Sequence, residues 1–218
     1  TTHSAAAQEF MDGQLKLNRN GATGKVENEG ELRAALSGYI ALLAPEVRNS
    51  GVIVANLGTV ALAAGEAFEL QFDGNGVLSS VRVTAATINT LVENKKAIKA
   101  PGGLIILSAQ AASRLQSGVV NNTGSIEASG LVRRAGRILL EASSSIFNSG
   151  SIKADATEGV NAGPAGSVTL NAPDVQNSGT VSTLGSRLVQ AARADRTKAA
   201  ERAETRVNVR FMPDSRQT

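Results

Sequence analysis

Two short phrases return along the chain, and their return restricts it to a stacked architecture. One is G-x-[IV]-x-L-x-A, first met at Gly38, Ile40, Leu42 and Ala44. The other is N-x-G-x-[IV]-x-A, clearest at Asn49, Gly51, Ile53 and Ala55. In both, apolar residues occupy every second position, the period of a strand with one buried face. The Asn phrase begins at Asn28, Asn49, Asn94, Asn122, Asn148 and Asn177, and the Gly phrase at Gly38, Gly58, Gly103, Gly136 and Gly166. Lys96 stands where the third Asn phrase should have its Gly, and Thr183 where the last should have its Ala. We read the Asn and Gly as corner residues that tolerate the φ > 0 backbone of a tight bend. The Asn amides satisfy backbone groups there and can stack from rung to rung as a ladder.

Successive ladder asparagines are 21, 45, 28, 26 and 29 residues apart. The short spacings suit one coil of a solenoid, and the spacing of 45 has room for two. Helical repeats would place apolar residues at i, i+3 and i+4, which these do not. The expected fold is all-β, a parallel β-helix over residues 1–183, with about seven or eight rungs roughly 4.8 Å apart and a length of about 35 Å. Ile40, Leu42, Ile53, Val60, Leu62, Ile105, Leu107, Ile126, Ile138, Leu140, Ile152, Val168, Leu170 and Val181 share the inward place in the repeat and form the expected core.

Insertions fall between Ala64 and Asn94, between Ala109 and Asn122, and between Ala154 and Gly166, at corners where a solenoid tolerates them. The longest alternates around Asp73-Gly74-Asn75-Gly76, setting Phe68, Leu70 and Phe72 opposite Val77, Val81 and Val83, and reads as a hairpin outside the coils. From residue 184 the phrases stop. Residues 184–218 are read as a separate tail, helical over about 186 to 206 and disordered at its end.

Composition narrows the chemistry. There is no cysteine, so there is neither a disulfide framework nor a thiolate nucleophile or ligand. Only 3% of residues are aromatic, which suits a narrow interior of Val, Ile, Leu and Ala. The net charge of +3 belongs to the tail, where eight basic residues face four acids; the rest holds fourteen basic and fifteen acidic groups. No apolar run is long enough to span a bilayer. The N-terminus lacks the basic and apolar regions of a signal peptide, so a signal for secretion would lie upstream.

Few groups invite a catalytic or metal role. His3 is the lone histidine, without a converging cluster. The Asp73 turn lacks the further acids and bidentate Glu of a calcium loop. Arg133, Arg134 and Arg137 cluster at a corner and read as solvated surface, with an anionic glycan or lipid contact as the alternative. The tail arginines have no interleaved aromatics for nucleic-acid stacking. The six asparagines are assigned to structure rather than to a ligand, and no catalytic, cofactor or metal residue is assigned.

The stretches VENEGELRAALSGYIALLAPEVRNSGVIVANLGTVALAAG, FDGNGVLS, LVENKKAIKAPGGLIILSA and SGVVNNTGSIEA resemble filamentous haemagglutinin-type exoproteins of the two-partner secretion pathway. The resemblance covers residues 20–183, and residues 1–13, with EFMDG, resemble the end of the family's secretion domain. The family's Asn-Pro-Asn secretion motifs do not occur in the sequence, and the tail does not continue its repeats. The resemblance implies a right-handed parallel β-helix, export through an outer-membrane transporter of a Gram-negative bacterium, and display as an adhesin that meets a cell-surface receptor or glycan.

Three function classes remain. A surface adhesin scaffold fits both the repeats and the resemblance. A carrier stalk for a contact-dependent inhibition toxin fits them too, and a toxin-like domain downstream would favour it. A polysaccharide-active enzyme can also use a parallel β-helix, but it needs charged groups converging on an outer face. The outward positions Tyr39, Ala41, Leu43, Thr59, Ala61 and Ala63 offer no acid pair.

Overall fold

The computed structural model describes residues 1–11, 15–113, 115–131, 134–157 and 164–184, and the backbone of 207–211. An N-terminal segment carries a short helix, α1 (Ala7–Met11), and a strand, β1 (Lys16–Asn18). The chain then winds through coils of three strands each. The first coil is β2 (Lys25–Asn28), β3 (Glu31–Arg33) and β4 (Tyr39–Leu43); the second is β5 (Glu46–Asn49), β6 (Val52–Val54) and β7 (Thr59–Ala64). A hairpin of β8 (Ala67–Phe72) and β9 (Leu78–Thr84) leaves the coil before the third, β10 (Thr90–Asn94), β11 (Ala97–Lys99) and β12 (Leu104–Ala109). The fourth coil is β13 (Gly118–Asn122), β14 (Ser125–Glu127) and β15 (Arg137–Ala142), and the fifth is β16 (Ser145–Asn148), β17 (Ser151–Lys153) and β18 (Ser167–Ala172). The sixth is β19 (Asp174–Asn177), β20 (Thr180–Ser182) and β21 (Val207–Phe211).

Equivalent strands stack into three parallel six-stranded sheets, so the fold is the expected parallel β-helix. The register is unbroken: Ile40, Val60, Ile105, Ile138 and Val168 lie on one line across a sheet, and Leu42, Leu62, Leu107, Leu140 and Leu170 on another. A slip of one residue would turn every such side chain to the other face, so the alternating pattern fixes the pairing. Of the expected core, all are buried except Ile40, Leu42 and Val181. These three sit on the first and last coils and pack partly buried against the same cluster.

The count of rungs differs from the sequence expectation. Among the described residues there are six, about 25 Å of rod at ordinary strand spacing. The 45-residue interval is one coil, because Asn49 pairs directly with Asn94. The extra residues leave the coil as the hairpin.

The corner glycines also serve a different purpose from the one expected. Positive φ occurs at Gly21, Gly76 and Gly102, and at Asn20, Ser37 and Leu57; none of these begins or belongs to a repeat phrase. A Cβ added at Gly51 would lie 2.0 Å from the Gly30 carbonyl oxygen, and one at Gly150 would lie 2.0 Å from that of Gly124. These positions exclude a side chain because the backbone of the previous rung passes there.

Strands β1, β8 and β9 form a separate antiparallel sheet. Phe68 pairs with Val83 and Leu70 with Val81, while an irregularity at Gln71/Phe72 sets Phe72 opposite Leu78 rather than Val77. This sheet is a roof rather than a loose appendage. Phe68, Leu70 and Leu78 pack on the outward side chains Leu43, Ala61, Ala63 and Ile106 to make a second core. Positions 43, 61 and 63, expected to face outward, are therefore covered, and every residue of β7 is buried. The Thr59 hydroxyl donates to the Leu78 carbonyl at 2.6 Å, tying roof to coil.

The tail expected to be helical over 186–206 lies outside the described residues. Val207–Phe211, in the stretch expected to lack a repeat position, instead pairs in parallel with β18, Val168 opposite Val207 through Ala172 opposite Phe211. Its V-N-V-R-F alternation has the strand period. Phe68→Ala should cost about 3–5 kcal/mol in urea unfolding, the usual range for emptying a buried aromatic site; a loss near zero would show that the roof contributes nothing to the fold.

Candidate functional site

One corner of the coil carries the six asparagines. Each ends the first strand of its coil, and they are in register: Asn28 with Asn49, Asn49 with Asn94, Asn94 with Asn122, Asn122 with Asn148, and Asn148 with Asn177. Nδ2 of each donates to Oδ1 of the next, at 2.8, 2.8, 2.8, 2.7 and 2.6 Å. At five of the six, Nδ2 also or instead donates to a backbone carbonyl. Asn28, Asn122 and Asn177 donate to Gly30, Gly124 and Gly179 in their own coil. Asn49, in the coil before the Lys96 corner, and Asn94, in that corner, reach instead to Ala97 and Ser125 in the next coil. That corner is also where the rung-to-rung bond is long: the Ala97 amide meets the Gly51 carbonyl at 3.3 Å, against 2.9 Å for Val52 to Gly30. Asn49, Asn94 and Asn122 are wholly buried, so their amides are spent on the rod.

The residue before each ladder Asn points outward, and these form a line of their own: Glu27, Arg48, Glu93, Asn121, Phe147 and Gln176. Over the first three coils the line is ionic. Arg48 bonds Glu46 at 2.5 Å and Glu93 at 3.1 Å, Lys95 bonds Glu93 at 3.0 Å, and Lys25 bonds Glu27 at 2.7 Å. The Lys25 ammonium holds the Glu27 carboxyl below its usual range. From the fourth coil the line becomes neutral. There Asn121, Phe147, Ser149, Gln176, Asn177 and Ser178 border an open groove of about 340 Å³.

Other singled-out residues have structural partners. His3 is buried under the roof, its Nε2 3.1 Å from the Gly65 carbonyl and its ring 4.6 Å from that of Phe68. Burial pushes its pKa below 6.5. The Asp73 carboxylate accepts from the amides of Asn75 and Val77 at 2.9 and 3.0 Å, closing its own turn. Arg134 and Arg137 are exposed at their corner, while Arg133 lies outside the described residues. Among the described residues no group of three His, Asp or Glu is placed to hold a metal ion.

Sequence reasoning passed over two residues. Glu141 faces outward on β15, and burial raises its pKa above 4.5 while the Asn171 amide opposes this. Nothing in its local sequence marks it; the burial comes from the fold. Phe147 was visible in principle, because an aromatic fills a slot that is polar in the other five coils.

Residues 1–154 match the TPS secretion domain family. The chain belongs to that family. A TPS secretion domain is part of an exoprotein of the two-partner pathway, as the resemblance implied, but the match runs through the coils to residue 154, where the resemblance had put only the end of that domain, at residues 1–13. Among solved structures, the HMW1 secretion domain of Haemophilus influenzae superposes with a TM-score of 0.69 at 20% identity, over 83% of this chain and 46% of that one. At that identity the likeness concerns the β-helical fold alone, and this TPS domain spans less than half the length of the HMW1 chain. No curated protein matches it.

Asn148→Ala removes a donor and an acceptor from the ladder and should cost about 1–3 kcal/mol, with the larger part from leaving neighbours unpaired. Asn177→Ala, at the exposed end, should cost less. Equal and negligible effects in denaturant unfolding would mean that the ladder does not hold the corner. Glu141 gives a pH test. Its raised folded-state pKa means that the charged form costs stability, a cost absent below 4.5 and fully present above the raised value. Glu141→Gln should therefore raise the melting temperature at pH 7 and change it little near pH 4; the reverse order would contradict the assigned burial.

Proposed function

We propose that this chain belongs to a secreted, surface-displayed adhesin of the filamentous haemagglutinin type. In this reading an outer-membrane transporter of a Gram-negative bacterium exports it, and its outer faces meet receptors or glycans on host or neighbouring cells. It acts as a scaffold and catalyses nothing. The observation that carries the reading is how the recurrent residues are used. The asparagine amides pair with one another, the corner glycines admit the neighbouring backbone, and the apolar phrases fill the interior. On the first outer face Glu27, Glu46 and Glu93 are tied up with Arg48, Lys25 and Lys95. What is left for function is the surface of a repetitive rod, suited to many weak contacts made useful by copy number.

The test is attachment. Beads coated with the protein should adhere to epithelial cells or immobilised glycans more than beads coated with an unrelated β-helix. Equal attachment would remove the adhesive role and leave a spacer, such as a toxin stalk. Turnover of a polysaccharide, abolished by one outward Asp or Glu substitution, would overturn the non-catalytic reading.

A further inference from the structure

The neutral end of the outward line has the composition of a sugar site. Phe147 stands between Asn121 and Gln176 in register, one strand away on each side. Its ring is half-buried, and among the described residues it has no aromatic partner, unlike Tyr39, which meets Phe72 at 5.4 Å. The groove beside it holds about 340 Å³ and no charged side chain lines it.

The polar groups around the ring have unused capacity. The Asn121 amide donates to Glu93 at 3.4 Å and that of Gln176 to Asp174 at 2.9 Å, which turns each Nδ2 or Nε2 away on a carboxylate. Their carbonyl oxygens, which carry no bond among the described residues, remain as acceptors. Asn177 is the last ladder asparagine among the described residues. Its Oδ1 takes the proton of Asn148, but its Nδ2 has one bond, to Gly179 at 3.4 Å, where Asn49, Asn94 and Asn122 make two. Among the described residues one N–H is left over. Ser149 and Ser178 add exposed hydroxyls, which donate or accept.

We propose that this groove binds a neutral saccharide. A pyranose has an apolar C–H face that covers an aromatic ring and a rim of hydroxyls that both donate and accept. Phe147 would take the face, the Asn121 and Gln176 carbonyls would accept hydroxyl protons, and Asn177 would donate. The lack of a lining cation selects against sialic and uronic acids, whose carboxylates would lose water without a partner. An open groove and a single ring give weak binding, the regime that multivalent display amplifies.

This site rests on the adhesive reading for its biological use, but it is tested separately. Lactose, cellobiose and galacturonic acid would be titrated into the labelled protein while side-chain amide signals are followed by NMR. A neutral disaccharide should shift the Asn121, Gln176 and Asn177 signals, and galacturonic acid should not. Phe147→Ala should weaken binding by about tenfold, the scale of one aromatic contact, and Phe147→Tyr should retain it. A melting curve shows that each variant is folded, and should the Ala variant fail to fold, Gln176→Glu supplies the test by placing a charge at the rim. Failure of both neutral sugars to shift these signals, preference for the acid, or unchanged affinity in a folded Phe147→Ala or Gln176→Glu protein would overturn the proposal. Cell attachment without any sugar binding would overturn the site while leaving adhesion intact. Sugar binding without attachment would do the opposite.

Discussion

Every rung of this molecule lies on an identical slot of the rung before it, and the amide-to-amide bond between stacked asparagines makes that identity physical. A carboxamide carries both a donor and an acceptor, so one residue type can pair with a copy of itself indefinitely. From Asn28 to Asn177 the chain uses this five times, at 2.6 to 2.8 Å. Because each amide sits at the end of a strand, bonding it to the next coil fixes the register of that strand. The register in turn sets Ile over Ile and Leu over Leu through the interior. The glycine two residues later is the steric side of the same constraint, since a Cβ there would collide with the backbone of the preceding coil.

The neighbourhood of Lys96 shows how much departure the corner tolerates. A long side chain replaces the glycine, the Ala97 amide is held at 3.3 Å, and Asn49 and Asn94 turn their second proton to the following coil. The ladder bonds themselves stay at 2.8 Å. Side-chain pairing thus persists where the backbone geometry relaxes, which places the ladder ahead of the glycine in setting the stack.

The coils were legible in the sequence because both signals, period-two alternation and a corner Asn, are local. Ile53, Leu107 and Ile138 could be assigned inward from their phrases alone. The roof was not legible as such. Its hairpin was, from Asp73-Gly-Asn-Gly, but its packing depends on where Phe68 lands on Leu43 and Ala61, side chains of two neighbouring coils that no local pattern sets beneath it. One sign was present: T-V-A-L-A-A is apolar on both faces, the mark of a strand covered on each side. The interval of 45 misled because length alone cannot tell two coils from one coil with a hairpin. Val207–Phe211 was missed because it carries the strand period without the Asn corner. The candidate saccharide groove needs three coils in register, so only Phe147, out of place in its slot, could have pointed to it.

The claim that the asparagine ladder sets the stack is open to one direct measurement, hydrogen exchange of the asparagine side-chain amides followed by NMR. A donated amide proton in a buried ladder exchanges only when the rod opens. The account predicts strongly slowed exchange for Asn28, Asn49, Asn94, Asn122 and Asn148, and fast exchange for Asn177, whose remaining proton meets no further rung among the described residues. Exchange as fast for Asn49, Asn94 and Asn122 as for an exposed asparagine such as Asn75 would contradict it.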